Sequence, residues 1–366
     1  MPEQKSFVQY SDQVEQPALD EDETIERIIA SMTRESEITA GRYGRAVRAS
    51  HAKSTGLLKG ELRVLEGLPG FLRQGLFTEA RTYPVLVRFA QGPGELLSDS
   101  VSTHRGMAIK VFGAEGPKLA GHEGAATQDF VLATGPTFPQ ADAASFLLAM
   151  RALEAGTPMP EAVKQAVSTA ARAAQNAIKA VGGPDVANLE FFGHTPRHPL
   201  ADRYHSQAAI RYGDHIAKVA AFPASRELNA LGDGPLDLNG DPDGFRAAVV
   251  DFFRRSPAEF DLRVQLCTDL QRMPVEDASV QWPEEESSYL SVARLVLPRQ
   301  DAYSPARQAY FDDVLAFRPA HSLEAHRPLG SLMRARLKTY AALSAFRHGR
   351  NGVQEREPRS IEEVPD

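Results

Sequence analysis

Cysteine is nearly absent. Cys267 is the only one in 366 residues, which excludes an internal disulfide and any cysteine-based metal cluster and fits a reducing compartment. No run of about 18 apolar residues occurs, so no membrane-spanning helix is expected. The stretch Met1 to Asp22 is polar and acidic and lacks an apolar core; no secretory signal is read there, and a cytoplasmic location is the expectation. Excess positive charge is also missing. The 41 Lys and Arg face 48 Asp and Glu, a net charge of −7, which gives neither nucleic acid nor an acidic membrane a general electrostatic reason to bind. What is present, 42% hydrophobic and 24% charged residues, is enough for one large domain or two ordinary ones.

Residues 1–19 read as a loose acidic arm, compatible equally with the embrace of a neighbour in a homodimer and with a free tail. Asp20-Glu21-Asp22-Glu23 opens a helix, with acidic residues in the first turn and an apolar stripe at Ile25, Ile28, Ile29 and Met32; the pattern ends it near Ser36–Thr39. Strand-like segments follow at 61–65, 83–90, 106–113 and 128–133. Their spacing predicts an antiparallel sheet closing into a barrel, an α+β architecture with helices packed around it. Two helices are predicted at 141–156 and 160–181, the second ending at Gly182-Gly183-Pro184. A hairpin turning at Gly213-Asp214 joins 207–212 to 216–222. The remaining expectations are a helix at 245–255, strands at 259–266 and 289–297, helices at 302–317 and 331–348, and a frayed polar tail from Asn351.

The basic run Arg334 to Arg347 holds the first chemical candidate. If helical, it places Arg336 and Tyr340 four apart on one face. A guanidinium held against a phenol favours the ionised form, and a tyrosinate is a hard anionic ligand for iron. The alternative is a core or interface aromatic on a basic amphipathic helix. His51 lies in Arg48-Ala49-Ser50-His51-Ala52-Lys53, flanked by basic residues and followed by a glycine turn; a lone histidine is otherwise a structural residue.

Taken in order over roughly 42–348, the segments resemble the haem catalase superfamily. Arg48–Lys53 is similar to the family's Arg-Val-Val-His-Ala-Lys, Val85–Phe89 to Pro-Val-x-Val-Arg-Phe-Ser, and Arg105–Phe112 to Arg-Gly-Phe-Ala-x-Lys-Phe. Val280–Pro283, Leu295–Arg299 and Ala316–Pro319 resemble Lys-Val-Trp-Pro, Leu-Val-Leu-Asn-Arg and Ala-Phe-Asn-Pro, and Arg336–Tyr340 resembles the ligand motif Arg-Leu-Phe-Ser-Tyr. Thr103–Ala108 and His326–Gly330 look more like the small catalase-related subfamily.

The resemblance implies haem b on a catalase-like barrel. Residues 1–40 would form an arm and helix, 41–350 the haem-binding domain and 351–366 a polar tail. Tyr340 is implied as the iron ligand, Arg336 as its supporting cation and His51 as the acid/base. Arg48, Arg88 and Arg347 match the arginines that hold the haem propionates. The family's distal Asn is missing: Ala126 or Thr127 stands in its place, and Thr127 is carried as a catalytic candidate. Ser50 replaces an apolar residue beside His51 and is a second such candidate; Ala90 replaces a serine after Val-Arg-Phe. His104 and His326, with no partner ligands nearby in sequence, read as structural or surface residues. The implied function is a haem peroxidase that reduces hydrogen peroxide or organic hydroperoxides with an unidentified electron donor and has weak or no classical catalase activity. The rivals are a fatty-acid hydroperoxide rearranging enzyme, a true catalase, and a non-enzymatic haem-binding protein.

Overall fold

The computed structural model describes residues 6–238 and 240–366. Strands β1 (Ser54–Val64), β2 (Thr82–Gln91), β3 (Arg105–Phe112) and β4 (Thr127–Thr134) form an antiparallel meander. A short β5 (Tyr204–His205) pairs with both β4 and β7 (His215–Pro223). The chain then continues through β8 (Ala258–Leu266) and β9 (Leu290–Leu297), and β9 returns to β1. The result is a closed eight-stranded antiparallel barrel, with β6 (Ile210–Tyr212) added as a hairpin arm on β7. Closure removes the unpaired edges that an open sheet would expose.

The two-residue period of the strands separates inside from outside. Val85, Val87 and Phe89 of β2, Met107, Ile109 and Val111 of β3, and Phe130 and Leu132 of β4 fill the interior with Phe260, Leu262 and Leu295. The alternate residues Leu86, Ala108 and Val131 face outwards and pack with Phe311, Leu315 and Phe317. Arg88 lies on this outer face, opposite Ala108 in β3. At the seam that closes the barrel, Gly60 lets two strands approach closely: a Cβ there would sit 2.5 Å from the Val296 carbonyl oxygen.

Eight helices among the described residues surround the barrel: α1 (Glu21–Tyr43), α2 (Ala143–Gly156), α3 (Glu161–Ala180), α4 (Ala187–Gly193), α5 (Arg226–Asn229), α6 (Gly244–Arg255), α7 (Pro305–Ala309) and α8 (Ser331–Asn351). Helix α1 runs past its expected end to Tyr43, where Gly44 adopts the left-handed conformation that caps it. Ile25, Ile28 and Met32 of α1, Leu147 and Met150 of α2, and Ala335 of α8 make one apolar cluster. Arg334, at the start of α8, pairs with Glu15, Glu21 and Glu276 at 2.5–2.8 Å.

Three expectations are corrected. Residues 1–5 of the acidic arm lie outside the described residues, but 6–19 are not loose: Val8 N–H donates to the Cys267 carbonyl and Tyr10 N–H to Asp214, and Glu15 accepts from Gly330 N–H and Arg334. The polar tail is packed, because Val364 is buried and Glu355 and Glu357 are engaged by buried cations. The segment 302–317 is not one helix. After α7 it makes a π turn at Tyr310–Val314, closed by Leu315 N–H donating to the Tyr310 carbonyl, and then becomes extended. Short β5 and α4 carry no sequence period and were not expected. No described helix is long and apolar enough to cross a membrane.

Candidate functional site

Between the outer face of β2–β4 and helix α8 lies a cavity of about 1660 Å³, above the usual range of roughly 300–1,000 Å³ for a drug-sized ligand. Small residues on the strands and one face of helix α8 shape it. Ala90 is in register with Gly106, and Gly106 with Ala133, a row of small outer-face residues across three strands. Helix α8 turns Leu332, Arg336, Tyr340, Leu343 and Arg347 towards the cavity, the three- and four-residue spacing of one helical face.

His51 lies against the row of small residues. A Cβ at Gly106 would come within 2.6 Å of its Nδ1, so the ring occupies the space that glycine leaves. The histidine backbone is left-handed, with φ 52°, a conformation rare outside glycine and found at constrained sites. Its N–H donates to the Gly92 carbonyl at 2.7 Å, which fixes the turn. Nδ1 is buried without a hydrogen-bond partner. Burial, followed by the nearby His104, Arg88 and Arg336, holds the imidazole pKa well below its usual value. The ring is therefore neutral at physiological pH and able to accept a proton. Ser50 lines the cavity beside it.

Across the cavity, Arg336 Nη2 donates to the Tyr340 hydroxyl at 3.2 Å. Arg336 also reaches Met333 Sδ at 3.3 Å. The pair expected from four-residue spacing is thus formed, and it lines the same space as His51.

Arg48, Arg88 and Arg347, far apart in sequence, converge on the π turn. Arg48 donates to Asp312 Oδ1 at 2.9 Å and to the Leu315 carbonyl at 2.8 Å, and also contacts the Phe311 carbonyl. Arg88 donates to the same Oδ1 at 3.2 Å and to the Ala52 carbonyl at 3.2 Å. Arg347 meets the Asp312 and Leu315 carbonyls. Ser54 Oγ completes the shell of Asp312 at 2.8 Å. Burial would raise the Asp312 pKa, but Arg88 and Arg48 outweigh it and the pKa is lowered. Burial, with repulsion from Arg88 and Arg347, holds Arg48 well below its ordinary value. The same causes push Arg347 down to about 10. The nearby acids Asp313 and Glu355 are already engaged by Arg45 and Arg318. Arg48 and Arg88 therefore share the Asp312 carboxylate while Arg347 holds the Asp312 main-chain carbonyl, and no sequence motif singled this residue out. The wider turn that presents it, a π turn of the kind often found at functional sites, has no sequence signature that would have revealed it.

Thr127 does not reach the cavity. It opens β4 opposite Phe112, six residues before Ala133, or roughly 20 Å along a strand. There its hydroxyl donates to Glu357 at 2.8 Å and accepts from Lys110 at 3.3 Å. Ala126 is not among the cavity's lining residues either. On β4 the positions lining the cavity run from Val131 to Thr134. His326 is a buried structural residue, its Nε2 accepting from Leu76 N–H at 2.9 Å. His104, expected to be structural or on the surface, instead lines the cavity next to His51.

Asp129, His321 and Glu357 are close enough together to hold a metal ion. The Lys110 ammonium fills their centre, 2.8 Å from Asp129 and 2.7 Å from Glu357, so the cluster is satisfied as an ion-pair network.

No family model matches the chain, and no curated protein matches it in sequence. Solved structures do. A fungal catalase superposes with a TM-score of 0.58 at 18% identity, covering 86% of this chain and 62% of its own. The fold is catalase-like. Catalase A from Saccharomyces cerevisiae gives a TM-score of 0.57 at 17% identity, over 94% of this chain and 68% of its own. The chain thus spans under two thirds of the fungal catalase's length, and identities this low bear on the catalase-like barrel and its helices, not on chemistry.

Proposed function

We propose that this protein is a haem-dependent peroxidase that reduces hydrogen peroxide or organic hydroperoxides. The observation that carries the reading is that His51 and the Arg336–Tyr340 pair line one cavity beside the three-arginine cluster.

The residues present fit haem b. Arg48, Arg88 and Arg347 carry three positive charges against the one negative charge of Asp312. The balance suits two propionates, which arginine holds well in bidentate geometry. Arg88 Nε and His51 Nδ1 are both buried without partners, polar atoms that a bound group or its water would satisfy. The Tyr340 phenol is a hard oxygen donor supported by a guanidinium, the ligand type used where haem iron is held by tyrosine.

Bound haem would supply the redox centre that receives the peroxide oxygen and passes on the donor's electrons. The rest falls to the chain. Neutral His51 takes the O–H proton of the hydroperoxide and returns it to the leaving oxygen. Tyr340 would hold the iron from the α8 side, with Arg336 donating a hydrogen bond to its oxygen. Ser50, in the cavity beside His51, offers a hydroxyl to the bound substrate. Overall, one hydroperoxide, two electrons and two protons give an alcohol and water, the electrons coming from an organic reductant such as a phenol.

The test is the haem-loaded protein given hydrogen peroxide and cumene hydroperoxide, with and without a phenolic donor. Donor-dependent formation of the alcohol is expected. An epoxide or carbonyl product formed without donor would indicate rearrangement, oxygen evolution a catalase, and no reaction a haem carrier.

A further inference from the structure

His104 lines the cavity wall, and its ring meets that of His51. The two rings lie edge to face, with centroids 5.3 Å apart. On its other side His104 stacks on Phe191 of α4 at 4.0 Å with 16° between planes. Gly92 gives it room, since a Cβ there would lie 2.2 Å from its Cε1. His104 N–H donates to the Phe191 carbonyl at 3.1 Å, and its Nδ1 lies 3.2 Å from the same oxygen. A carbonyl oxygen only accepts, so Nδ1 must carry the proton. Nε2 of the neutral ring is then an acceptor, and among the described residues it has no hydrogen-bond partner.

We propose that His104 is a second polar group of the wall facing the substrate, a hydrogen-bond acceptor for the O–H of hydrogen peroxide that His51 does not take. This role rests on the hydroperoxide reading given above. It supplies a polar group on a wall that Thr127 does not reach. The charged and titratable groups around the pair are Arg88 and Arg336, which face His51, and His194, which faces His104 from the end of α4. Burial pushes His104 down to about 4, so the acceptor persists across the physiological range. His51 remains the group that takes one proton of hydrogen peroxide; His104 accepts from the other O–H and so fixes how the substrate is turned.

Two measurements test this, one of them independent of turnover. In 15N-histidine NMR of the protein without haem, the signal lost in His104→Phe should be an Nδ1-protonated tautomer that stays neutral down to about pH 4. An Nε2-protonated ring, or one that titrates near the ordinary histidine pKa of about 6.5, would overturn the proposal even if the enzyme is active. In the loaded enzyme, His104→Phe should keep full haem loading and lower kcat/KM for hydrogen peroxide about tenfold, the loss of one hydrogen bond. His104→Gln, whose amide oxygen still accepts, should recover part of it. In a His51→Ala background the His104→Phe change should add little. An unchanged kcat/KM in His104→Phe, or the same tenfold loss without His51, would refute the role. If the wild type turns over no hydroperoxide at all, the peroxidase reading fails, while the NMR result still decides the tautomer.

Discussion

At the scale of single residues, the account rests on placing charge and protons where the fold cannot release them to water. His51 is held neutral by burial and by the cations around it, as a base must be. His51→Gln should therefore keep haem binding and lose about 10²–10³-fold in peroxide turnover, read by stopped-flow decay of hydrogen peroxide. Retained full turnover would remove His51 from the mechanism. Among the described residues, Asp312 is the carboxylate that Arg48 and Arg88 share. Removing its charge leaves a buried cationic cluster, and breaking such a pair costs about 3–5 kcal/mol. Asp312→Asn should lower stability by about that much without cofactor in urea titrations, and by clearly less with haem bound, because the propionates then supply the missing negative charge. An equal loss in both states would argue against propionates at the arginines.

At the scale of elements, the strands that carry the site were legible in the sequence and the connections were not. The β-branched, aromatic and apolar residues of 83–90, 106–113 and 128–133 anticipated β2, β3 and β4 to within a residue or two, because such side chains favour buried, pleated strands. The four-residue spacing of Arg336 and Tyr340 anticipated their contact. The error at Thr127 has a physical cause. Motif order fixes where a residue lies along a strand, but only the register with β3 shows that the cavity stands at the other end of β4, by Ala133. Asp312 was missed because a π turn has no periodic signal, and His104 because its partners His51 and Phe191 are distant in sequence. Glycine at 106 makes the His51 pocket. Gly106→Ala should leave the strand paired, since its φ is ordinary, but displace the imidazole; a melting temperature close to wild type with sharply reduced turnover is expected. At the closing seam, Gly60→Ala meets the backbone oxygen of Val296 at 2.5 Å and should destabilise the barrel by about 1–3 kcal/mol, seen in the urea midpoint with little change in the activity of the folded fraction.

At the scale of the whole molecule, the two ends of the described chain lock the barrel to the helices. Glu15 and Glu21 grip α8 through Arg334, and the C-terminal segment brings Glu355 to Arg318 and Glu357 to Lys110 and His321. Burial would raise the Glu357 pKa, but the bond with His321 and the charge of Lys110 win and hold it at about 2. A depressed carboxylate adds stability that is complete above the unfolded pKa, about 4.3, and is lost as pH falls towards the folded value. Wild type should therefore lose stability between pH 5 and 2 more steeply than Glu357→Gln, measured by urea midpoints. Parallel curves would show that the tail is not clamped by this charge. Removing residues 352–366 should lower the melting temperature by several degrees, because Val364 leaves the outer-face cluster and Lys110 loses a partner.

These scales meet at one cavity, and its central claim is that Tyr340, supported by Arg336, holds haem iron opposite His51. The most direct measurement is the absorption spectrum of the haem-loaded protein and of Tyr340→Phe, recorded at matched haem and protein concentrations. The account predicts one haem per chain in the wild type, and an altered iron spectrum with weakened haem retention in Tyr340→Phe. Full haem loading with an identical spectrum in Tyr340→Phe would contradict it.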